Sequence, residues 1–393
     1  MNFDKIEKIL ANEPKFRAKQ VKQLIWRDLI EDWDKALTLP IELRERLKKE
    51  CPLEIKAEVF PDKDGKSVKA LIILADGLSV ETVLMRHEKG ITPSVSPPSK
   101  GGEGFYFRNT VCVSSQIGCP LGCVFCATGK AGFKRNLSYG EIVEQALFWA
   151  RYHRLRGFET DNADNEDIHP FNPQKISAIR GINNIVFMGM GEPFLNYDNV
   201  FEAIKILNDD NLLGIGARHI SISTVGIIEG IERMVEDMPQ INLAISLHAP
   251  NDELRQKLMP IDKKYPLAAV MAAAKDYVAK TNRKLMFEYI MIKGINDSTE
   301  HAKELAKLLN NRLFFVNLIA YNPTGDFTPL QNLQSSSNGT KESKKDFATG
   351  FIPSEPVQIK KFKDVLMKAG LQALERYRFG QDIKGACGQL SNQ

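Results

Sequence analysis

The sequence lacks several features that would restrict the class of protein. It has no uninterrupted run of about 18 apolar residues, so no membrane-spanning helix is expected. Its first residues carry charges throughout and contain no apolar core of a secretory signal, which favours a cytoplasmic protein with reduced thiols. The sequence also lacks a large excess of either charge, because it has 53 Lys and Arg and 49 Asp and Glu. The composition therefore does not indicate a dedicated basic nucleic-acid binder.

The chain has 393 residues, long enough for one large catalytic domain and a small accessory one. Residues 1–52 show helical spacing of apolar side chains and form the accessory domain, which is either a structural cap or an RNA-docking module. Residues 53–109 are a β-rich extension in which Asp76-Gly77 gives a hairpin signal. Residues 110–380 form the core, and 381–393 form a C-terminal tail.

In the core, six strand-like segments alternate with helical ones. Such alternation predicts an α/β fold with a parallel sheet and crossover helices, and six units predict a partial (β/α)6 barrel. The helix over 138–155 begins with Ser138-x-x-Glu141, which is a capping box.

Three polar inserts interrupt the alternation, at 89–104, 157–178 and 324–352. Their composition is typical of loops. In a barrel the loop after each strand lies on the catalytic face. The insert at 157–178 follows a helix and is therefore expected away from the site, whereas the insert at 324–352 follows a strand and is expected beside the entrance.

Cysteine is scarce, but four of the six cysteines fall within one short stretch, three of them in the motif Cys119-x-x-x-Cys123-x-x-Cys126. The motif follows a predicted strand, at the end of the barrel where active sites form. Three thiolates on one loop match three irons of a [4Fe–4S] cluster and leave the fourth iron open to chelate S-adenosylmethionine. A structural zinc site with Cys112 as fourth ligand is the alternative, although its spacing fits zinc poorly.

Polar residues also follow the other predicted strands. Gly191 and Glu192 end the second strand, where glycine lets a ligand approach the backbone and the carboxylate suits an ammonium group. Each such residue alone is more typical of a turn or cap, but successive strand ends of a barrel converge on one site. The other strand-end candidates are Ser223, Ser246, Leu247, His248 and Asn322.

The remaining cysteines stand apart from the motif. Cys112 lies on the first core strand, and Cys387 lies in the small-residue tail KGACGQL, which suits access to a substrate better than core packing. We therefore interpret Cys387 as reactive. Cys51 is interpreted as a buried small apolar residue.

At these residues the chain closely resembles the radical S-adenosylmethionine methyltransferases that methylate C2 of adenosine in 23S ribosomal RNA and in tRNA. The resemblance covers almost the whole chain apart from the inserts. It runs through VETV, CVSSQIGCPLGCVFCATGKAGFKRNLSYGEI, MGMGEPFLN, ISTVG, AISLHAPNDELR, EYIMIKGIND, YNP and ACGQL.

The resemblance implies a role for each candidate. The three motif cysteines would ligate the cluster, and Gly191, Glu192 and the other strand-end candidates would bind S-adenosylmethionine. Cys387 would carry the methyl group and Cys112 would resolve it. Glu81 in VETV would accept a proton, although nothing else in the sequence distinguishes it from a solvated strand residue.

The implied mechanism explains the need for two cysteines. C2 of adenine is electron-poor and cannot displace a methyl group from a sulfonium. A first S-adenosylmethionine would methylate Cys387, and a second, cleaved by an external donor such as a flavodoxin-type reductant, would give a 5′-deoxyadenosyl radical that activates the S-methyl group. Cys112 would then attack the Cys387 sulfur, releasing methylated RNA and leaving a disulfide. The implied targets are adenosine 2503 in the peptidyl transferase centre and adenosine 37 of tRNA.

Two other functions stay open at this point. One is that of the sibling enzyme that methylates C8 of the same ribosomal adenosine, which the extended N-terminal helical region disfavours. The other is a non-catalytic RNA-binding or assembly protein that keeps the cluster as structure. Basic side chains near the site are candidates for phosphate contacts in any of these functions, namely Lys130, Lys134, Arg135, Arg376 and Arg378.

Overall fold

The computed structural model describes residues 1, 3–87, 108–155, 181–324 and 350–391. The chain begins with three helices, α1 (Phe3–Leu10), α2 (Lys15–Trp26) and α3 (Ile41–Glu50), which confirms the helical pattern of this region. Trp33, between α2 and α3, is buried and donates its indole N–H to the Cys51 carbonyl at 2.7 Å. Cys51 itself is 1% exposed, as expected of a structural cysteine.

An antiparallel extension follows, formed by β1 (Ala57–Pro61), β2 (Ser67–Ile73) and β3 (Ser79–His87). The turn between β2 and β3 contains Gly77 at φ +82°, a backbone conformation that glycine adopts without strain. The hairpin signal is therefore confirmed.

The core elements follow in the order that the alternation predicts. They are β4 (Arg108–Cys112), β5 (Gln116–Gly118), α4 (Ala127–Lys130), β6 (Phe133–Asn136), α5 (Tyr139–Leu155), β7 (Asn184–Phe187), α6 (Tyr197–Asn208), β8 (Ile220–Thr224), α7 (Ile228–Asp237), β9 (Asn242–Ser246), α8 (Asp252–Leu258), α9 (Leu267–Thr281), β10 (Leu285–Met291), α10 (Thr299–Leu308), β11 (Phe314–Ala320), α11 (Pro356–Lys368) and β12 (Gln372–Glu375).

Within the described residues one sheet runs in the order β1-β2-β3-β4-β7-β8-β9-β10-β11-β12, and β5 pairs with β6 in a separate hairpin. The pairs from β4 to β12 are all parallel, which confirms a partial barrel of strand–helix units. β12 is an additional parallel strand that the sequence pattern did not predict. Its four residues are too few to show alternation, and it forms because the edge of β11 is free to pair.

Helix α5 joins the core to the N-terminal helices. It begins with the expected capping box, in which the Ser138 N–H donates to Glu141 Oε2 at 2.8 Å and the Glu141 N–H donates to Ser138 Oγ at 3.3 Å. Farther along α5, the Met1 ammonium pairs with Glu144 at 2.7 Å, and Arg151 donates to the Leu53 carbonyl at 2.7 Å.

Among the helices of the described residues, none combines the length and the apolar character needed to span a bilayer. The inserts at 89–104 and 157–178, and most of the insert at 324–352, lie outside the described residues. Their expected positions relative to the site stay predictions.

Candidate active site

The carboxyl ends of the parallel strands border a cavity of about 160 Å³, which we call the strand-end cavity. Its walls come from the cysteine loop, from the ends of β7, β8, β9 and β10, and from the C-terminal tail. It brings together most of the residues predicted from the sequence, with one charged residue, Glu288, that was not predicted. Its lining includes Cys119, Cys123, Cys126, Gly191, Glu192, Ser223, Ser246, His248, Glu288, Arg376 and Cys387.

The cysteine loop is held by backbone hydrogen bonds to distant segments. The Cys119 N–H donates to the Gly132 carbonyl at 3.2 Å, across the β5–β6 hairpin. The N–H of Val124 donates to the Leu258 carbonyl at 3.1 Å, and the N–H of Ala127 donates to the Gly388 carbonyl at 2.8 Å. The loop is therefore tied to α8 and to the tail that carries Cys387.

The surroundings of the loop cysteines disfavour the negatively charged thiolate form of their side chains. Burial, together with the neighbouring Cys126 and Glu192, raises the pKa of Cys119 to about 12. Burial also raises the pKa of Cys123 well above its ordinary value, with contributions from both other loop cysteines. Neighbouring buried thiolates need a positive partner, so this donor set suits a cationic metal centre.

The donor set fits a cluster better than a single zinc ion. Cys119, Cys123 and Cys126 line the strand-end cavity together. Three thiolates on one loop match three irons of a [4Fe–4S] cluster, whereas a structural zinc site takes four ligands. Cys112, the proposed fourth zinc ligand, does not line the strand-end cavity. The residues therefore fit an iron–sulfur cluster.

Glu192 is a fixed carboxylate in the wall of this cavity. It is 2% exposed, and its two oxygens accept the N–H groups of Phe194 at 3.1 Å and Val225 at 2.9 Å. Burial raises the pKa of Glu192 to about 7, and these N–H donors oppose that rise. The preceding Gly191 has φ +97°, and a Cβ there would lie 2.5 Å from Cβ of Gln116, so only glycine fits.

The ends of β8 and β9 contribute adjacent polar side chains. Ser223 Oγ and Ser246 Oγ lie 3.4 Å apart. His248 accepts the Ile290 N–H on Nδ1 at 3.1 Å and packs edge-to-face on Phe125 of the cysteine loop. Burial and then Arg255 lower the pKa of His248 to about 3, so its imidazole is neutral.

Two of the predicted strand-end residues do not line the strand-end cavity. The Leu247 side chain is fully buried, and its N–H donates to the Glu288 carbonyl at 3.0 Å. Asn322 donates its side-chain N–H to the Cys387 carbonyl at 3.1 Å and lines a smaller neighbouring cavity. In this structure Asn322 therefore fixes the tail.

The smaller cavity, of about 30 Å³, is lined by Cys112 and Cys387, and we call it the carrier cavity. Cys112 is 8% exposed, and its pKa is raised to about 12 by burial and then by Cys387. Cys387 and Arg376 line the carrier cavity and the strand-end cavity alike. All six cysteines are free thiols in the structure.

Glu81 is not a solvated strand residue. It is 1% exposed, its Oε1 lies 2.7 Å from Lys69 Nζ, and its Oε2 accepts the Ser391 N–H of the tail at 2.7 Å. It lines neither of the two cavities. The carboxylate lies beneath the tail segment that follows Cys387.

Two basic candidates for RNA contacts are already engaged by neighbours. Arg135 donates two hydrogen bonds to Glu141, at 2.8 and 2.9 Å, and pairs with Asp76 at 2.7 Å. Lys130 donates to Thr324 Oγ1 at 3.2 Å.

Glu288 is a functional candidate that the sequence analysis missed. It lies within β10, is 3% exposed and lines the strand-end cavity. The available signal was a single charge in the otherwise apolar segment LMFEYIM.

Comparisons with known proteins show the family of this chain. The family model of the Radical SAM superfamily matches residues 174–309. A probable dual-specificity RNA methyltransferase RlmN from Chloroflexus aurantiacus is 38% identical over 402 residues, covering 100% of this chain and 92% of its own length. The ribosomal RNA large subunit methyltransferase N of Nitrosopumilus maritimus is 39% identical over 382 residues, covering 96% of this chain and 92% of its own length.

A solved structure shows the same architecture. The crystal structure of a radical SAM methyltransferase from Sphaerobacter thermophilus matches with a TM-score of 0.79 at 36% identity, covering 100% of this chain and 98% of the other. Similarity therefore extends over the N-terminal helices, the sheet and the tail together. With a three-cysteine loop at the strand ends and two lone cysteines in a shared cavity, the chain belongs to the RlmN family of radical SAM RNA methyltransferases.

Proposed function

We propose that this enzyme methylates C2 of adenosine in 23S rRNA, at adenosine 2503, and in tRNA, at adenosine 37. The observation that carries the proposal is that Cys387 lines both cavities, one of which is also lined by the cysteine loop and the other by Cys112. A methyl carrier must reach its donor and its resolving thiol from one position. The names of the relatives support RNA as the substrate, and one of them specifies ribosomal RNA of the large subunit.

In this proposal Cys119, Cys123 and Cys126 hold the [4Fe–4S] cluster. When bound, the cluster supplies the electron that cleaves S-adenosylmethionine to a 5′-deoxyadenosyl radical. One S-adenosylmethionine donates the methyl group and a second is the radical source, so each turnover uses two. The proposed contacts to this cofactor are Gly191, Glu192, Ser223, Ser246, Leu247, His248 and Asn322.

The chain's own cysteines carry the carbon from donor to RNA. The Cys387 thiolate takes the methyl group by displacement, and the 5′-deoxyadenosyl radical removes one hydrogen atom from that group to become 5′-deoxyadenosine. The carbon radical left on the Cys387 sulfur bonds to C2 of adenine, and the adduct then gives up the C2 proton and one electron, which equals the electron consumed in the cleavage. The Cys112 thiolate bonds to the Cys387 sulfur, the carbon–sulfur bond breaks with its electron pair on carbon, and that carbon takes up the proton that Cys112 lost, which leaves the methylated base and a disulfide. A two-electron reductant such as an external thiol restores both cysteines.

Glu81 is the proposed acceptor of the C2 proton. Its two oxygens already accept hydrogen bonds from Lys69 and from the Ser391 N–H. RNA therefore reaches this carboxylate only after the contact with Ser391 opens. The buried Lys69, 2.7 Å from Glu81 Oε1, holds the carboxylate in place during that change.

The proposed contact at Gly191 gives a stability prediction. Gly191→Ala is expected to lower the free energy of unfolding by about 1–3 kcal/mol, because the alanine is strained at φ +97° and its Cβ meets Gln116. Since the adjacent Glu192 N–H donates to Gln116 Oε1 at 2.9 Å, the same change is expected to weaken S-adenosylmethionine binding. Thermal unfolding and equilibrium dialysis measure the two effects.

The matched control for this change is Gly216→Ala. Gly216 has no positive φ, and the nearest atom to an added Cβ is His219 Cδ2 at 3.4 Å. We expect unchanged affinity and almost unchanged stability for this variant. If Gly191→Ala behaves like the control in both measurements, the assigned role of Gly191 is wrong.

The accessory parts of the chain have proposed roles as well. We propose the divisions 1–52, 53–109, 110–380 and 381–393, in which the tail is the carrier arm and the N-terminal helices are a cap or an RNA-docking module. The tail's contacts with Ala127, Asn322 and Glu81 support the carrier assignment. We further propose a cytoplasmic enzyme that receives electrons from a flavodoxin-type donor.

The test is anaerobic reconstitution with methyl-labelled S-adenosylmethionine, a reductant and each RNA, followed by mass spectrometry of the nucleosides. Label in 2-methyladenosine from both RNAs supports the proposal. Label in 8-methyladenosine would assign the enzyme to the C8 activity. RNA binding without any transfer of label would support the non-catalytic alternative.

A further inference from the structure

Arg376 lies where the two cavities meet. Its backbone N–H donates to the Leu318 carbonyl at 2.9 Å, directly after the paired residues of β12, so the short strand fixes its position. The guanidinium is thereby held at the carboxyl end of the sheet. It lines the carrier cavity with Cys112 and Cys387, and it also lines the strand-end cavity.

Glu288 faces the same guanidinium from β10. Its Oε1 accepts the Asn317 side-chain N–H at 2.9 Å, and its Oε2 lies 3.7 Å from Arg376 Nη1. Among the described residues, that Oε2 has no hydrogen bond. Arg376 Nη1 also lies 3.2 Å from Met188 Sδ. Because the Glu288 side chain is only 5% exposed, its charge needs a partner, and Arg376 supplies it.

Cys112 and Cys387 interact electrostatically with Arg376. The pKa of Cys112 is raised by burial and by Cys387, and Arg376 opposes that rise. The pKa of Arg376 is held above its ordinary value, first by Cys387 and also by Glu288. The other titratable groups that line these cavities are Glu192, the neutral His248, Tyr377, Arg378 and the three loop cysteines.

We propose that Arg376 is the positioning cation of the two methyl-transfer cysteines, and that Glu288, itself fixed by Asn317, holds the guanidinium beside them. This inference rests on the proposed carrier role of Cys387. It assigns Arg376 to thiol chemistry rather than to an RNA phosphate. A cation beside a sulfur favours the thiolate, which is the form that reacts.

The step served by Arg376 is a displacement without electron transfer. The Cys387 thiol first loses its proton to solvent. The thiolate sulfur then bonds to the methyl carbon, and the bond from that carbon to the sulfonium sulfur breaks and leaves its electron pair on the sulfur. The products are S-methylcysteine and S-adenosylhomocysteine, so this loading reaction can be followed without any reductant.

The test uses the anaerobically prepared holoenzyme with S-adenosylmethionine and no reductant. Mass spectrometry of the tail peptide follows methylation of Cys387 against time and pH. We expect Arg376→Gln to slow loading about tenfold or more at neutral pH, and the deficit to shrink at alkaline pH as the thiolate forms without help. Arg376→Lys keeps the charge and is expected to recover most of the rate. Glu288→Gln is expected to cause a smaller loss, because the guanidinium remains but is less well held.

Arg312→Gln is the matched control, because it removes the same charge from an exposed position just before the opposite end of β11. Its loading rate is expected to equal that of the wild type. Iron content and melting temperature report the folding of every variant. If Arg376→Gln loses its cluster, the loading rate and its pH profile are measured in Arg376→Lys and Glu288→Gln instead. The inference is overturned if both of these variants show the wild-type rate and the wild-type pH profile.

Three other results would also overturn it. One is wild-type loading in Arg376→Gln. Another is equally slow loading in Arg376→Lys and Arg376→Gln at every pH, which indicates a structural role. The third is reduced RNA affinity with unchanged loading, which assigns Arg376 to a phosphate contact. If the wild type itself never methylates Cys387, the proposed carrier function is wrong, and this inference falls with it.

Discussion

Cys112→Ala is expected to trap a covalent complex between the enzyme and its RNA after one turnover. In this variant Cys387 still receives the methyl group and still bonds to C2 of adenine, but the carrier cavity contains no thiol to attack its sulfur. Cys387→Ala is expected to form no adduct and to reduce methylation to background, because no carrier remains. Denaturing gels show the adduct as slowly migrating protein that RNase treatment converts back to the free mobility.

The structure supplies a matched control for both variants. Cys51→Ala also removes a buried lone cysteine, but one that lies beside Trp33 and lines neither cavity. We expect this variant to turn over normally and to lose only a small amount of stability. If Cys112→Ala and Cys387→Ala behave alike and neither yields an adduct, the two roles are wrongly assigned.

Replacing any one of Cys119, Cys123 and Cys126 with Ala is expected to abolish the cluster and, with it, all cleavage of S-adenosylmethionine. The wild type should contain about four irons and four sulfides per chain after anaerobic preparation. Each loop cysteine lines the strand-end cavity. The one other cysteine in that lining is Cys387, which cannot replace a cluster ligand because it is needed as the methyl carrier. Iron and acid-labile sulfide analysis, with detection of 5′-deoxyadenosine, measures the loss.

Cys51→Ala again serves as the control and should retain full iron content. Thermal unfolding separates loss of the cluster from loss of the fold, because the loop is also anchored through the backbone of Val124 and Ala127. Stoichiometric zinc in place of iron after anaerobic reconstitution would contradict the assignment. So would a single loop variant that keeps four irons.

Much of the fold could be predicted because its signals are local. The alternation of strand-like and helical segments specifies the parallel sheet, and the Ser138–Glu141 capping box specifies the start of α5. The short β12 could not be predicted, because four residues carry no periodicity and the strand depends on the free edge of β11. It is this strand that positions Arg376.

Some features of the candidate site likewise follow from the local sequence, and others depend on tertiary contacts. The sequence by itself determined the three-cysteine loop and the polar strand ends, and it predicts a reactive Cys387, because spacing and neighbouring residue types are local properties. Only the tertiary structure decided that Cys387 and Cys112 share one cavity, that Asn322 holds the tail, and that Glu81 is buried under Ser391. These contacts join residues that lie far apart in the chain, and they form only when the sheet curves and the C-terminal tail crosses its strand ends. The same arrangement of the tail over the strand ends places Arg376 beside Glu288. The sequence of β10 shows the buried charge of Glu288, but only the packing of another segment over the strand end shows which residue neutralises it.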